Sequence, residues 1–157
     1  MSDVFLAVKW LHIVSATVLF GTGLGTALHM WLSHLSRDTQ AIAVAARNTV
    51  RVDWLFTATS GVVQPVTGVI LIYLAGHDPW ASWLAASYAL YGVAAVCWIP
   101  VVWLQTRVRD LAAHAAVSGE PLPPAYNRYM RLWVALGWPA FVSLLAAMAL
   151  MVAKPVL

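Results

Sequence analysis

Charged residues and cysteine are both scarce in this sequence. Asp, Glu, Lys and Arg make up 10% of its 157 residues, whereas average soluble domains contain roughly 25%. So few charged side chains cannot cover a surface with solvated groups, which argues against an ordinary soluble domain. The single cysteine, Cys97, excludes an internal disulfide and a CxxC metal site, and its apolar surroundings favour a packing role.

The usual catalytic and nucleotide-binding motifs are also missing. The sequence contains no nucleophile–base pair, glycine-rich phosphate loop or HExxH pattern, so hydrolase and nucleotide-binding functions have no support. The net charge of +3 comes mainly from arginines in separate loops rather than from a continuous basic stripe. This distribution gives no indication of a nucleic-acid partner.

What the sequence does contain is four apolar runs, each long enough to cross a bilayer as a helix. The predicted spans run from about Val4 to Trp31, Trp54 to Ala75, Trp83 to Gln105 and Trp133 to Ala153. Tryptophans near the span ends are typical of the aromatic belts at the two membrane interfaces. We therefore predict a single all-α transmembrane domain over residues 1–157, built as a four-helix bundle in contact with the lipid bilayer.

The basic residues predict the orientation of this bundle. They lie in the first and third connections, at Arg37, Arg47, Arg51, Arg107, Arg109, Arg128 and Arg131. The second connection, Gly76 to Ser82, has no Lys or Arg. The positive-inside rule then places both termini outside a bacterial inner membrane. Both cytoplasmic connections are expected to contain short amphipathic helices, one within 36–52 and one at 106–117 that continues the third span.

Lys9 and His12 are ionisable residues well inside the first predicted span, where charge is costly. Three positions separate them, so they share one helix face. In one interpretation, neutral His12 binds a haem iron or another metal and Lys9 neutralises a propionate nearer the outer interface. In the other, Lys9 extends outward to water and His12 hydrogen-bonds a neighbouring helix through Gln64 or a tyrosine. Both interpretations stay open on the residues alone.

Weaker candidates could supply a second axial ligand. His77 lies in the outer connection, and Met148 and Met151 lie toward the outer end of the fourth span. Methionine on an apolar helix usually fills a core, and histidine at an interface is usually solvated. Interfacial histidines elsewhere are His29, His34 and His114.

Small and polar residues predict which helix faces pack against protein. They are Gly21 and Gly25 in the first span and Gly61, Gln64 and Gly68 in the second. Pro65 is expected to kink the second span and to free backbone carbonyls that neighbouring helices or Thr and Ser hydroxyls must satisfy. Asp53 is expected either to pair with Arg51 at the interface or to cap the second span.

Several short motifs resemble a family of predicted bacterial integral membrane proteins of unknown function. The first is Lys9 to Ile13, followed by the glycine-rich segment Phe20 to Gly23. Further matches lie at Arg51 to Trp54, Gln64 to Gly68 and Leu122 to Tyr126. Together they cover most of the chain.

The K-x-L-H-I element is also similar to the first helix of two other groups, the HemJ-type haem-dependent protoporphyrinogen oxidases and the CopD-like copper-resistance domains. This resemblance implies a four-helix membrane protein in which His12 serves the haem. The oxidases also rely on a lysine in the third helix, and no lysine occurs between Trp83 and Gln105. The resemblance therefore favours haem binding over protoporphyrinogen oxidation.

The leading prediction is a membrane protein that binds a b-type haem and has a redox or electron-transfer role. A homodimer is plausible because one chain supplies one deeply buried histidine. The first alternative is a non-catalytic accessory subunit of a larger membrane complex. The second is copper transport, which is disfavoured because one span alone carries buried ionisable groups and clusters of Met and His are absent.

Overall fold

The computed structural model describes residues 3–155 and is helical almost throughout, with no strand in that range. Its helices are α1 (Asp3–Ser36), α2 (Thr39–Val52), α3 (Ala58–Ala75), α4 (Ser82–Ser118) and α5 (Pro124–Ala153), and a π-helical segment (Asp53–Thr57) joins α2 to α3. Four continuous helices are long and apolar enough to cross a membrane: α1, α2 with α3, α4 and α5. The predicted all-α fold with four candidate spans is confirmed.

The helices extend beyond the predicted spans at the arginine-rich end. Helix α4 continues past the membrane span as predicted, to Ser118 rather than Val117, and ends where Gly119 adopts a positive φ of 73° that glycine tolerates best. Helix α5 begins at Pro124 rather than near Trp133, with proline at the first helical position. Hydropathy marks the part of a helix that lies in lipid, so it underestimates a helix that continues into water.

The predicted amphipathic helix in the first connection is α2. The carboxylate of Asp38 accepts hydrogen bonds from the backbone N–H groups of Gln40 and Ala41, 2.9 and 3.3 Å away, which caps the helix. Its buried residues recur every three or four positions: Ile42, Ala45, Ala46, Thr49 and Val50. This face packs against α1 and α4.

The densest packing lies at the arginine-rich end of the bundle. The main hydrophobic cluster joins α1, α2, α4 and α5 through Met30, Ile42, Ala45, Ala46, Val101, Leu104, Val108, Ala112, Tyr126, Met130 and Trp133. Farther along, α1 packs on α3 and α4 packs on α5. The apolar windows of the four spans bury little of their surface inside the chain, as expected for helices that face lipid.

Pro65 leaves one backbone carbonyl of α3 without its usual partner, and α4 supplies a replacement. Proline has no N–H, so the carbonyl of Gly61, four residues earlier, loses its intrahelical hydrogen bond. The Tyr91 hydroxyl of α4 donates to that oxygen. A Cβ atom built on Gly61 would lie 3.8 Å from the Tyr91 hydroxyl oxygen, an ordinary van der Waals contact, so the two helices pack directly here. A neighbouring helix thus satisfies the carbonyl freed by Pro65, as expected, although through a tyrosine rather than a Thr or Ser hydroxyl.

This arrangement predicts that the effect of Tyr91→Phe depends on residue 65. In the native chain, Tyr91→Phe should lower the free energy of unfolding by about 1 kcal/mol, because the Gly61 carbonyl is left unpaired. In a Pro65→Ala background the new N–H can bond that carbonyl, so the same substitution should cost much less. Unfolding measurements in detergent on the four proteins of this cycle give the coupling energy. An equal cost of Tyr91→Phe in both backgrounds would contradict the account.

Candidate functional site

His12 lies where α1 packs against α3. Its Nδ1 atom is 2.8 Å from the hydroxyl oxygen of Thr67. Its ring also lies over Gly68, where an added Cβ would approach the ring Cε1 atom to 3.4 Å. Gly68 therefore lets the imidazole come close to the α3 backbone, as the predicted packing stripe on that helix suggested.

The neighbouring polar groups favour one tautomer of His12. The Thr67 hydroxyl oxygen lies 2.7 Å from the carbonyl of Val63, and with its one hydrogen directed there the hydroxyl accepts from the imidazole. The carbonyl of Gln64 is a further acceptor beside the ring, 3.2 Å from the Thr67 hydroxyl oxygen. Both acceptors favour a hydrogen on Nδ1 of His12. Nε2 then keeps its lone pair, the form in which histidine binds a metal.

A second polar contact between α1 and α3 lies next to this one. The hydroxyl of Ser15, a buried residue of α1, is 2.7 Å from the side-chain oxygen of Gln64 and 3.0 Å from the backbone oxygen of His12. The Gln64 side chain therefore meets Ser15, while the His12 ring meets Thr67. Sequence reasoning missed Ser15 and Thr67, although Ser15 lies three positions after His12 on the same face.

Lys9 lies one helical turn from His12 toward the start of α1 and is exposed. Its ammonium nitrogen is 5.9 Å from the centroid of the Phe5 ring. The side chain therefore extends toward the N-terminal end of the bundle. A carboxylate bound near that end of α1 would be attracted by the Lys9 ammonium group.

Two of the weaker ligand candidates, His77 and Met148, lie at different heights relative to His12. Helix α3 runs eight residues past Thr67 to Ala75, about 12 Å at 1.5 Å per residue, and His77 lies beyond its end. There its Nε2 atom is 3.4 Å from the Lys154 ammonium, and its ring meets the edge of Trp83 with the centroids 5.6 Å apart. One iron cannot bind both histidines of the same chain across such a separation.

Met148, in contrast, lies close to the height of His12. The rings of Phe20 in α1 and Phe141 in α5 meet with centroids 5.5 Å apart, which fixes the register of these helices. His12 lies eight residues from Phe20, and Met148 lies seven residues beyond Phe141. Helices α1 and α5 run in opposite directions, so both offsets point toward the N-terminal end of α1. They are about 12 Å for His12 and about 10 Å for Met148. A spacing of seven residues also places Met148 on the face of α5 that carries Phe141.

The predicted packing glycines fall into two groups. Gly61 and Gly68 of α3 lie beside Tyr91 and His12. A Cβ added at Gly21 or Gly25 of α1 would meet nothing within 4 Å. The glycine face of α1 thus lies open within residues 3–155.

Asp53 corrects an expectation, because its carboxylate neither pairs with Arg51 nor caps the N-terminus of a helix. It lies in the π-helical segment and is 4% exposed, whereas Arg51 is exposed. The Trp98 indole N–H donates to its carboxylate at 3.2 Å, and the side chains of Thr57 and Gln105 lie within hydrogen-bonding reach. The wider π-helical turn changes the phase of the helix there and directs the carboxylate into the bundle.

A bare metal ion has no ready site in the described part of the chain. Residues 3–155 contain no group of three or more His, Cys, Asp or Glu side chains that could hold one. A metal bound by His12 would need most of its ligands from another source. Haem meets this requirement, because the porphyrin brings its own nitrogen ligands and leaves axial positions for the protein.

Comparison with known proteins gives one family. The sequence model of a family described as predicted integral membrane protein (DUF2269) matches residues 6–155. This match confirms the resemblance to a family of predicted membrane proteins. No curated protein and no solved structure matches the chain.

Proposed function

Because the chain belongs to the predicted integral membrane protein family DUF2269, we propose a function within the membrane, namely binding of a b-type haem through His12. The role would be redox or electron transfer in a bacterial inner membrane. The observation that carries the proposal is the hydrogen bond between His12 Nδ1 and Thr67, 2.8 Å long, which leaves Nε2 available to iron. A partner on the second ring nitrogen is typical of metal-binding histidines.

The side chains around His12 offer the chemical groups that an amphiphilic macrocycle would need. Haem, when bound, would supply one-electron chemistry. His12 would hold the iron, Thr67 would orient the imidazole, and Lys9 would pair with a propionate one turn nearer the outer surface. Met148, at a similar height on α5, would be a further residue that could hold the iron. With both termini outside, as the arginine distribution predicts, Lys9 would bind a carboxylate on the outer side of His12.

Thr67→Val tests the orienting role of Thr67. It removes the hydroxyl at nearly constant volume, so the His12 ring loses its Nδ1 partner and its fixed orientation. Haem affinity should fall by roughly 10- to 100-fold, the usual effect of losing a partner of a metal-binding histidine. Haem titration of the purified protein measures this change.

Thr59→Val is the matched control, because Thr59 is exposed on the same chain segment and bonds the carbonyl of Leu55 in its own turn at 2.6 Å. Its haem affinity should match that of the unmodified protein. If Thr67→Val binds haem as well as Thr59→Val does, Thr67 has no part in holding His12.

A second candidate function is an accessory subunit of a larger membrane assembly, or a homodimer. The observation in its favour is the open glycine face of α1 at Gly21 and Gly25, since such faces let another helix approach closely in lipid. Co-purification with a stable membrane partner, together with a spectrum that lacks haem bands, would favour this candidate. Copper transport gains no support from the described side chains.

A further inference from the structure

A small cavity lies among α1, α2, α4 and α5 at the level of the main hydrophobic cluster. Its volume is about 10 Å³, close to the space that one water molecule needs. Its lining is largely apolar, with three polar side chains: Thr49, Gln105 and Trp133. These three residues are 2%, 7% and 8% exposed, so bulk water does not reach them freely.

Two polar atoms on this lining have no hydrogen-bond partner. They are the Thr49 hydroxyl oxygen and the Trp133 indole nitrogen, both buried among the described residues. Buried polar groups are nearly always paired with protein or with ordered water. These two unpaired atoms belong to different helices and line the same water-sized cavity. A molecule bound in the cavity could pair with both.

The chemistry of the lining selects the kind of occupant. The indole N–H of Trp133 can only donate, so the occupant must offer an acceptor. This requirement disfavours a metal or ammonium cation, which would meet the positive end of the N–H bond. The Thr49 hydroxyl and the Gln105 amide can each donate or accept. A molecule that accepts from Trp133 and pairs with the other two groups satisfies all three.

Gln105 connects the cavity with the buried carboxylate of Asp53. Its side chain lies on the cavity and also within hydrogen-bonding reach of Asp53. Thr57 stands on the other side of the carboxylate, and its hydroxyl oxygen is 3.3 Å from that of Thr22 in α1. An occupant of the cavity would therefore extend a chain of polar contacts that begins in α1.

We propose that one ordered water molecule occupies this cavity, accepts a hydrogen bond from Trp133 and bonds the side chains of Thr49 and Gln105. The water links α2 and α5 to the Asp53 carboxylate through Gln105. With Thr22 and Trp98, this hydrated network contacts all four candidate spans at the level of the π-helical segment. It is distinct from the His12 site, and its test does not depend on haem.

Magnetisation transfer from water to indole N–H protons tests the proposal. In the folded protein with ¹⁵N-labelled tryptophan, the Trp133 indole N–H should give a cross-peak with a bound water. The Trp98 indole should not, because it donates to Asp53 at 3.2 Å. Thr49→Val removes one anchor at nearly constant volume, and it should weaken the Trp133 cross-peak several-fold.

Thr59→Val serves as the control, because it removes an exposed hydroxyl far from the cavity lining, and it should leave the cross-peak unchanged. A folded native protein without a Trp133–water cross-peak would overturn the proposal. An equal cross-peak from Trp98 would also overturn it, because general solvent exchange would then explain both signals. If Thr49→Val does not fold, the comparison of Trp133 with Trp98 in the native protein decides alone.

Discussion

His12→Ala is expected to abolish haem retention while the bundle stays folded. The substitution removes the nitrogen atom that would bind the iron. The loss should therefore exceed the roughly 10- to 100-fold effect of removing an orienting partner. Haem per chain is measured on protein that has been produced with haem supplied and purified in detergent. Helical circular dichroism and gel filtration establish that the variant remains folded.

His29→Ala is the matched control for this experiment. His29 lies in the same helix, 17 residues after His12, or about 25 Å along the axis. No single haem can use both residues of one chain. The control should therefore keep the haem content of the native protein. A folded His12→Ala protein with native haem content would contradict the assignment of His12.

Asp53→Ala is expected to produce the largest loss of stability among the polar residues. In the native protein the Trp98 indole nitrogen lies 3.2 Å from the carboxylate, and the substitution leaves its N–H without an acceptor. It also removes a partner of Thr57 and Gln105. Each unsatisfied buried group costs about 1–3 kcal/mol in soluble proteins and less between helices in lipid. We expect the free energy of unfolding to fall by about 2 kcal/mol, measured by denaturation in detergent. Asp53→Asn keeps an acceptor oxygen and should cost less.

Asp110→Ala provides the comparison for a carboxylate that is not buried. Asp110 pairs with its neighbour Arg109 at 2.7 Å, and its side chain is 55% exposed. Exposed ion pairs contribute about 0–1 kcal/mol, so this variant should stay close to the native stability. Equal losses for Asp53→Ala and Asp110→Ala would show that the buried network around Asp53 does not stabilise the fold.

Hydropathy and helix signals predicted the elements of this fold well. The four spans follow from the length of the apolar runs. The end of α4 follows from Gly119, and the amphipathic α2 follows from its stripe of apolar residues. The hydrogen-bonding environment of Asp53 could not be predicted from these signals. A π-helical turn rotates the side chains that follow it about the helix axis, relative to those before it. No residue type within 53–57 predicts such a turn. Asp53 was expected just before the second span, where it could cap a helix or pair with Arg51, whereas α2, the π-helical segment and α3 form one continuous helix through it.

The candidate site was predicted in part. Ionisable residues in an apolar run are rare enough to identify Lys9 and His12 directly. Thr67 and Ser15 could not be identified in the same way. Hydroxyl residues are common in membrane helices and usually bond a carbonyl in their own turn. Whether one of them also reaches a neighbouring helix depends on helix rotation and register, which the pattern of apolar residues leaves undetermined.

The most direct test of the central claim is a reduced-minus-oxidised absorption spectrum of the detergent-purified native protein, produced with haem supplied. We expect a sharp Soret band and a distinct α-band that stay with the protein through purification. Both bands should be absent from His12→Ala and present in His29→Ala. A featureless spectrum of folded native protein at full haem supply would contradict haem binding. Lys9 and His12 would then be residues of helix packing in an accessory subunit.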